Sequence, residues 1–101
     1  MTRTPNTRAD GSPFITTTVQ IVWTKATVIP DYDPRVWRWD RCGRVIKFSE
    51  YGDTSAYGWE IDHIHPVARG GTDSLDNLQP LQWQNNRRKG DSTTWTCEQS
   101  A

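Results

Sequence analysis

The sequence predicts a small single-domain α+β fold on three grounds. The chain has 101 residues, 34% of them hydrophobic and 24% charged, which suffices for one core and rules out two domains. Its second half sets two strand-like segments ahead of one run of helix formers. Six tryptophans supply the large apolar area that a short chain of modest aliphatic content needs for a core.

Residues 1–17 are rich in Thr, Pro, Asn, Ser and Gly, with only Phe14 and Ile15 as bulky apolar side chains. They read as a flexible tail on which no chemistry should depend. Residues 19–29 (VQIVWTKATVI) are β-branched and partly alternating, yet Val22, Lys25, Ala26 and Ile29 also fit helical spacing, so their type stays open. Residues 30–34 (PDYDP) form a turn-rich connector. Basic side chains then recur every third position, at Arg35, Arg38, Arg41, Arg44 and Lys47. A helix turns about 100° per residue, so this period drifts around its surface, and Gly43 weakens a continuous helix. The spacing suits a basic surface patch better than a groove-reading helix, with a merely solvated face as the alternative.

Trp59 and Ile61 alternate with Glu60 and Asp62, the pattern of a half-buried strand, which Pro66 and the Gly70-Gly71 turn signal end. A short second strand is expected around 78–81, and a helix over 82–89 with Gly90 as its cap. The domain is expected to run over 18–95, with 96–101 as a C-terminal tail.

Lys plus Arg balances Asp plus Glu at 12 each, so net charge points to neither nucleic acid nor membrane. The distribution is uneven: residues 1–50 carry eight basic and five acidic side chains, the rest four basic and seven acidic. One part of such a chain suits gripping an anion while the other concentrates oxygen ligands. No apolar run reaches 18 residues and the first residues hold no apolar stretch; no membrane span or signal peptide is expected, and the default compartment is cytoplasmic. Cys42 and Cys97 have no second Cys or His at zinc-ligand spacing, so no structural zinc is expected. Two free thiols are favoured over a disulfide in that compartment.

Within residues 59–91 stand Asp62, His63, Asn77 and Asn86, with fourteen residues from His63 to Asn77, nine from there to Asn86, and Arg87, Arg88 and Lys89 following at once. The elements DHI-x-P, GG, LDNLQPL and QNNRRKGD, in this order, resemble the HNH endonuclease family over residues 37–91. The resemblance implies a ββα-metal (His-Me finger) core over about 57–91, a hairpin packed on a helix around one divalent cation. It implies that His63 is the general base for the attacking water, that Asp62 and Asn86 ligate the cation, and that Asn77 holds the inter-strand loop in shape. Many relatives brace this module with two CxxC pairs on zinc; here they are missing, and bracing falls to packing by Trp37, Trp39, Trp59 and Trp83.

The residue types make chemical sense on their own. An imidazole with an unperturbed pKa of about 6.5 is substantially neutral near pH 7, and a carboxylate with an amide oxygen is a hard pair suited to Mg²⁺ or Mn²⁺ rather than zinc. In a regular strand Asp62 and His63 point to opposite faces, so they converge only if the strand ends or bulges there. Asn86 is preferred to its neighbour Asn85, which a helix places about 100° away. Glu60 is left as a supporting or exposed residue. His65, Arg87, Arg88, Lys89, Arg41 and Arg44 are candidate contacts to nucleic-acid phosphates, which give affinity without reading sequence.

The leading expectation is a metal-dependent endonuclease that nicks DNA, duplex above all, leaving a 5′-phosphate and a 3′-hydroxyl. A double-strand break then requires a homodimer, two successive nicks or a partner in a larger nuclease or packaging complex. The alternatives are a DNA-binding or phage-packaging accessory protein that uses the HNH core as a scaffold and, behind it, a protein-interaction domain with exposed Trp.

Overall fold

The computed structural model describes residues 3–97; residues 1–2 of the expected N-terminal tail and 98–101 of the C-terminal tail lie outside that range. Helix α1 (Thr16–Trp23) opens the regular structure. It buries Val19, Val22 and Trp23, spaced so that one face meets the core. The open stretch 19–29 therefore resolves into helix and then strand β1 (Thr27–Val28). Strands β2 (Trp37–Trp39) and β3 (Val45–Lys47) form an antiparallel hairpin, and β1 pairs on the other side of β2. The basic repeat thus lies on a hairpin, with Gly43 at φ 80° in its turn.

The second sheet pairs β4 (Trp59–His63) with β5 (Leu78–Gln82) in antiparallel register, from Trp59 opposite Gln82 to His63 opposite Leu78. Helix α2 (Trp83–Lys89) follows without a linker. The Gln82 side chain caps it by accepting from the N–H groups of Gln84 and Asn85, and Gly90 follows its last turn. Pro80 is tolerated because β5 pairs with β4 alone, leaving its other edge outside the ladder. The result is a small mixed α/β domain whose β4-β5-α2 unit has the ββα arrangement. Phe14, Val22, Trp23, Ile46, Trp59, Ile61 and Leu78 form the shared core. Among the described residues no helix is long and apolar enough to cross a membrane.

Four expectations need correction. All five β4 residues are buried rather than alternating, because α2 covers the face that carries Glu60 and Asp62. Of the four tryptophans assigned to bracing, only Trp59 is fully buried; Trp37 and Trp39 line a shallow apolar groove with Tyr32 and Tyr57, and Trp83 is half-buried with its indole N–H on Ser55 O. Residues 3–15, taken as a tail by composition, lie against the domain: Phe14 is buried in the core, and the Asn6 side-chain oxygen accepts from Tyr51 Oη and from the Ile61 N–H, each at 2.8 Å.

The fourth correction concerns the thiols. Cys42 and Cys97 are joined in a disulfide across 55 residues, with Cα atoms 5.3 Å apart, because the C-terminal segment returns to the hairpin turn and places Trp95 under the Arg41 guanidinium. Closing a loop of that length restricts the unfolded chain and contributes about 2–4 kcal/mol. A thermal scan with and without reductant is expected to show a Tm lower by roughly 10 °C or more in the reduced protein; an unchanged Tm would mean that the bond contributes nothing to the fold.

Candidate active site

The loop from 64 to 77 leaves β4 at His63 and re-enters β5 opposite the same residue. Its shape depends on two residues. Gly71 comes so close to the His65 carbonyl that a Cβ would lie 1.7 Å from its oxygen, so no other residue fits there. Asn77 spans the loop: its side-chain oxygen accepts from the His65 N–H at 2.8 Å, and its amide nitrogen donates to the carbonyls of His65 at 3.0 Å and Thr72 at 2.8 Å.

Asp62, His63 and Asn86 all line one open cavity of about 230 Å³, bordered also by residues 3–7, Pro66, Val67, Arg87, Gly90 and Asp91. The strand ends at His63, which removes the conflict between neighbouring side chains of a regular strand. Each of the three is held in place. The His63 ring is buried against Phe14, with centroids 5.9 Å apart, and its Nε2 lies 2.8 Å from Asp73 Oδ1. Asp62 accepts from Gln79 Nε2 at 2.8 Å, and its other oxygen lies 3.2 Å from Lys89 Nζ. Asn86 donates its amide nitrogen to Glu60 Oε1 at 2.9 Å. That bond fixes the amide orientation and leaves Oδ1, which has no partner among the described residues, as the atom offered to the cavity.

Two carboxylates respond to these surroundings in opposite ways. Burial pushes the Asp62 pKa above its ordinary value, and the Gln79 hydrogen bond and Lys89 charge only partly offset it. At Asp73 burial acts upward as well, but hydrogen bonds from His63 and the Ala9 N–H, with the charges of His63 and Arg8, hold the carboxyl below its ordinary value.

The candidate phosphate contacts separate. Arg87 borders the cavity and is ion-paired to Glu60 at 2.9 Å while lying over the Trp83 ring. Arg88 is exposed. Lys89 is not a surface contact: it is 5% exposed, its ammonium donating to the His63 carbonyl at 2.9 Å beside Asp62. His65 is exposed with its Nε2 turned onto the Arg69 carbonyl at 2.7 Å. Arg41 and Arg44 sit on the hairpin, stacked on Trp95 and bonded to Gln84 respectively, and do not line the cavity.

Asn85 and Asn86 diverge: Asn85 faces the Asp40 carboxylate at 3.0 Å while Asn86 faces the cavity. Asp73 and Gln79 are the supporting residues that sequence reasoning missed, and Glu60, left open between supporting and exposed, is buried and holds Asn86 and Arg87. The strand pairing carries a signal for Asp73, since a loop that returns to His63 brings its own acidic residues close to that imidazole. Among the described residues no three His, Cys, Asp or Glu side chains converge as a metal site; the carboxylate of Asp62 with the amide oxygen of Asn86 is a hard-oxygen pair of the kind that holds Mg²⁺ or Mn²⁺ together with waters.

Comparison with known families matches the HNH endonuclease model to residues 40–92. No curated protein and no solved structure matches the chain. The matched segment takes in the hairpin turn, β4, the Asn77 loop, β5 and α2, more than half of the sequence and all of the cavity wall except residues 3–7, and the chain belongs to the HNH endonuclease family.

Proposed function

We propose that this protein is a metal-dependent endonuclease that nicks duplex DNA. The observation that carries the reading is the meeting of His63, Asp62 and the free Asn86 oxygen in one solvent-open cavity. His63 takes the proton from water as its oxygen attacks the phosphorus; the 3′ oxygen leaves, giving a 5′-phosphate and a 3′-hydroxyl. Asp62 and Asn86 would hold a divalent cation, which when bound neutralises charge building on the phosphoryl oxygens. Arg87, at the cavity edge, is placed to meet a backbone phosphate.

Supercoiled plasmid incubated with the protein and Mg²⁺ or Mn²⁺ is expected to yield nicked circles, and none with EDTA. A protein inert with every divalent cation would be a DNA-binding scaffold instead.

Asp62 also supports a pH-dependent metal effect. Its folded pKa is raised above 3.8, so the stability linked to this group is full below that value and is lost as pH rises through the folded pKa. A cation binds the ionised carboxylate, so its stabilising effect is expected to grow as pH rises through the raised folded pKa of Asp62. At a hundredfold excess over Kd the gain is about 2.7 kcal/mol, a Tm rise of roughly 10 °C or more. Thermal scans with Mn²⁺ check this; an Asp62→Asn protein that keeps the full shift would remove Asp62 as ligand.

A further inference from the structure

A histidine that takes a proton needs one ring nitrogen with a free lone pair facing the reactant, and the partner of the other nitrogen decides which one that is. In His63 the Nε2 atom lies 2.8 Å from Asp73 Oδ1. An ionised carboxylate only accepts, so Nε2 carries the proton and Nδ1 the lone pair. Nδ1 has no partner among the described residues and is not sealed from solvent. The carboxylate is itself held from outside the hairpin: the Ala9 N–H donates to Oδ1 at 2.9 Å and to Oδ2 at 3.2 Å, and Arg8 Nε lies 3.8 Å from Oδ2. Phe14, from the same N-terminal segment, packs on the imidazole.

We infer that Asp73 is the positioning residue of the His63 base, fixing its tautomer and ring orientation, and that the N-terminal segment, through the Ala9 N–H, holds Asp73 in place. The inference rests on the nuclease reading of the cavity. It makes residues 8–14, compositionally a tail, part of the reactive centre. Asp73 is 27% exposed in its side chain; without the Ala9 donor it is free to turn into solvent, and His63 loses its constraint.

The test uses the full chain with ¹⁵N-labelled histidine, alongside Asp73→Ala, Asp73→Glu and Ala9→Pro, the last deleting the backbone donor. The wild type is expected to show a ring-proton resonance on His63 Nε2 that exchanges slowly with water, told apart from His65 in a His65→Gln protein. Asp73→Ala should lose this resonance, and turnover at saturating plasmid should fall about tenfold or more with KM little changed; Asp73→Glu should restore part of both. Ala9→Pro should lower turnover in the same way and add little in combination with Asp73→Ala. A slowly exchanging resonance that survives in Asp73→Ala, or wild-type turnover in that protein, would overturn the inference while leaving the nuclease reading intact. A wild type that never cuts removes the nuclease reading instead, and the resonance alone then decides whether Asp73 holds His63.

Discussion

Replacing His63 by alanine is expected to reduce plasmid nicking by about a hundred- to ten-thousandfold, the range over which a positioned general base acts. The described residues supply no substitute. His65, two residues on, spends its Nε2 on the Arg69 carbonyl and stands outside the cavity, and Lys89 is buried between Asp62 and the His63 carbonyl. Folding should survive, because His63 ends its strand and its backbone pairing with Leu78 does not involve the ring; the cost is the lost contact with Phe14 and an Asp73 carboxylate freed of its partner. The measurement is initial nicking rate against Tm for the two proteins. A rate within threefold of wild type at unchanged Tm would show that water is activated elsewhere and would remove the role given to His63.

The sequence made β4, β5, α2 and the order of Asp62, His63, Asn77 and Asn86 legible because each is a local signal: an alternating run, a glycine-marked turn, a helix cap, a spacing. What it hid depends on contacts between segments far apart in the chain. Asp73 sits in a polar stretch that looks like any loop, and becomes a partner of His63 only because β4 and β5 close on each other. Glu60 occupies an outward position in a strand pattern, yet α2 covers it and its carboxylate accepts from both Asn86 and Arg87. The Cys42–Cys97 bond crosses 55 residues, and spacing carries no information on that pairing. Phe14 and Asn6 stand in a composition that resembles a disordered tail, although a buried ring, the Asn6 hydrogen bonds and the Ala9 contact with Asp73 fasten the segment.

The largest expected loss of stability is at Asp40, a residue with no role in the chemistry. Its carboxylate is 2% exposed and accepts four hydrogen bonds: Oδ1 from the Cys42 and Arg44 N–H groups, each at 2.9 Å, and Oδ2 from the Gln82 N–H at 2.9 Å and Asn85 Nδ2 at 3.0 Å. One side chain thus ties the β2-β3 turn to the end of β5 and the first turn of α2. It also sets the rotation of α2 that turns Asn85 inward and Asn86 toward the cavity. Asp40→Ala leaves at least two donors buried without acceptors, at about 1–3 kcal/mol each, besides the loss of charge-assisted bonds; a total of about 3–5 kcal/mol is expected, a large part of the stability of a domain this size. Asp40→Asn should cost nearly as much, because all four partners are donors and an amide nitrogen on either side meets two of them head-on. Urea midpoints for the three proteins measure this, and a loss under 1 kcal/mol in Asp40→Ala would show that the network is replaceable. Since Cys42 stands in the same turn, reduction of the disulfide should destabilise Asp40→Ala by less than it destabilises the wild type: once α2 and β5 are released from the turn, a covalent anchor on that turn has less of the fold left to hold.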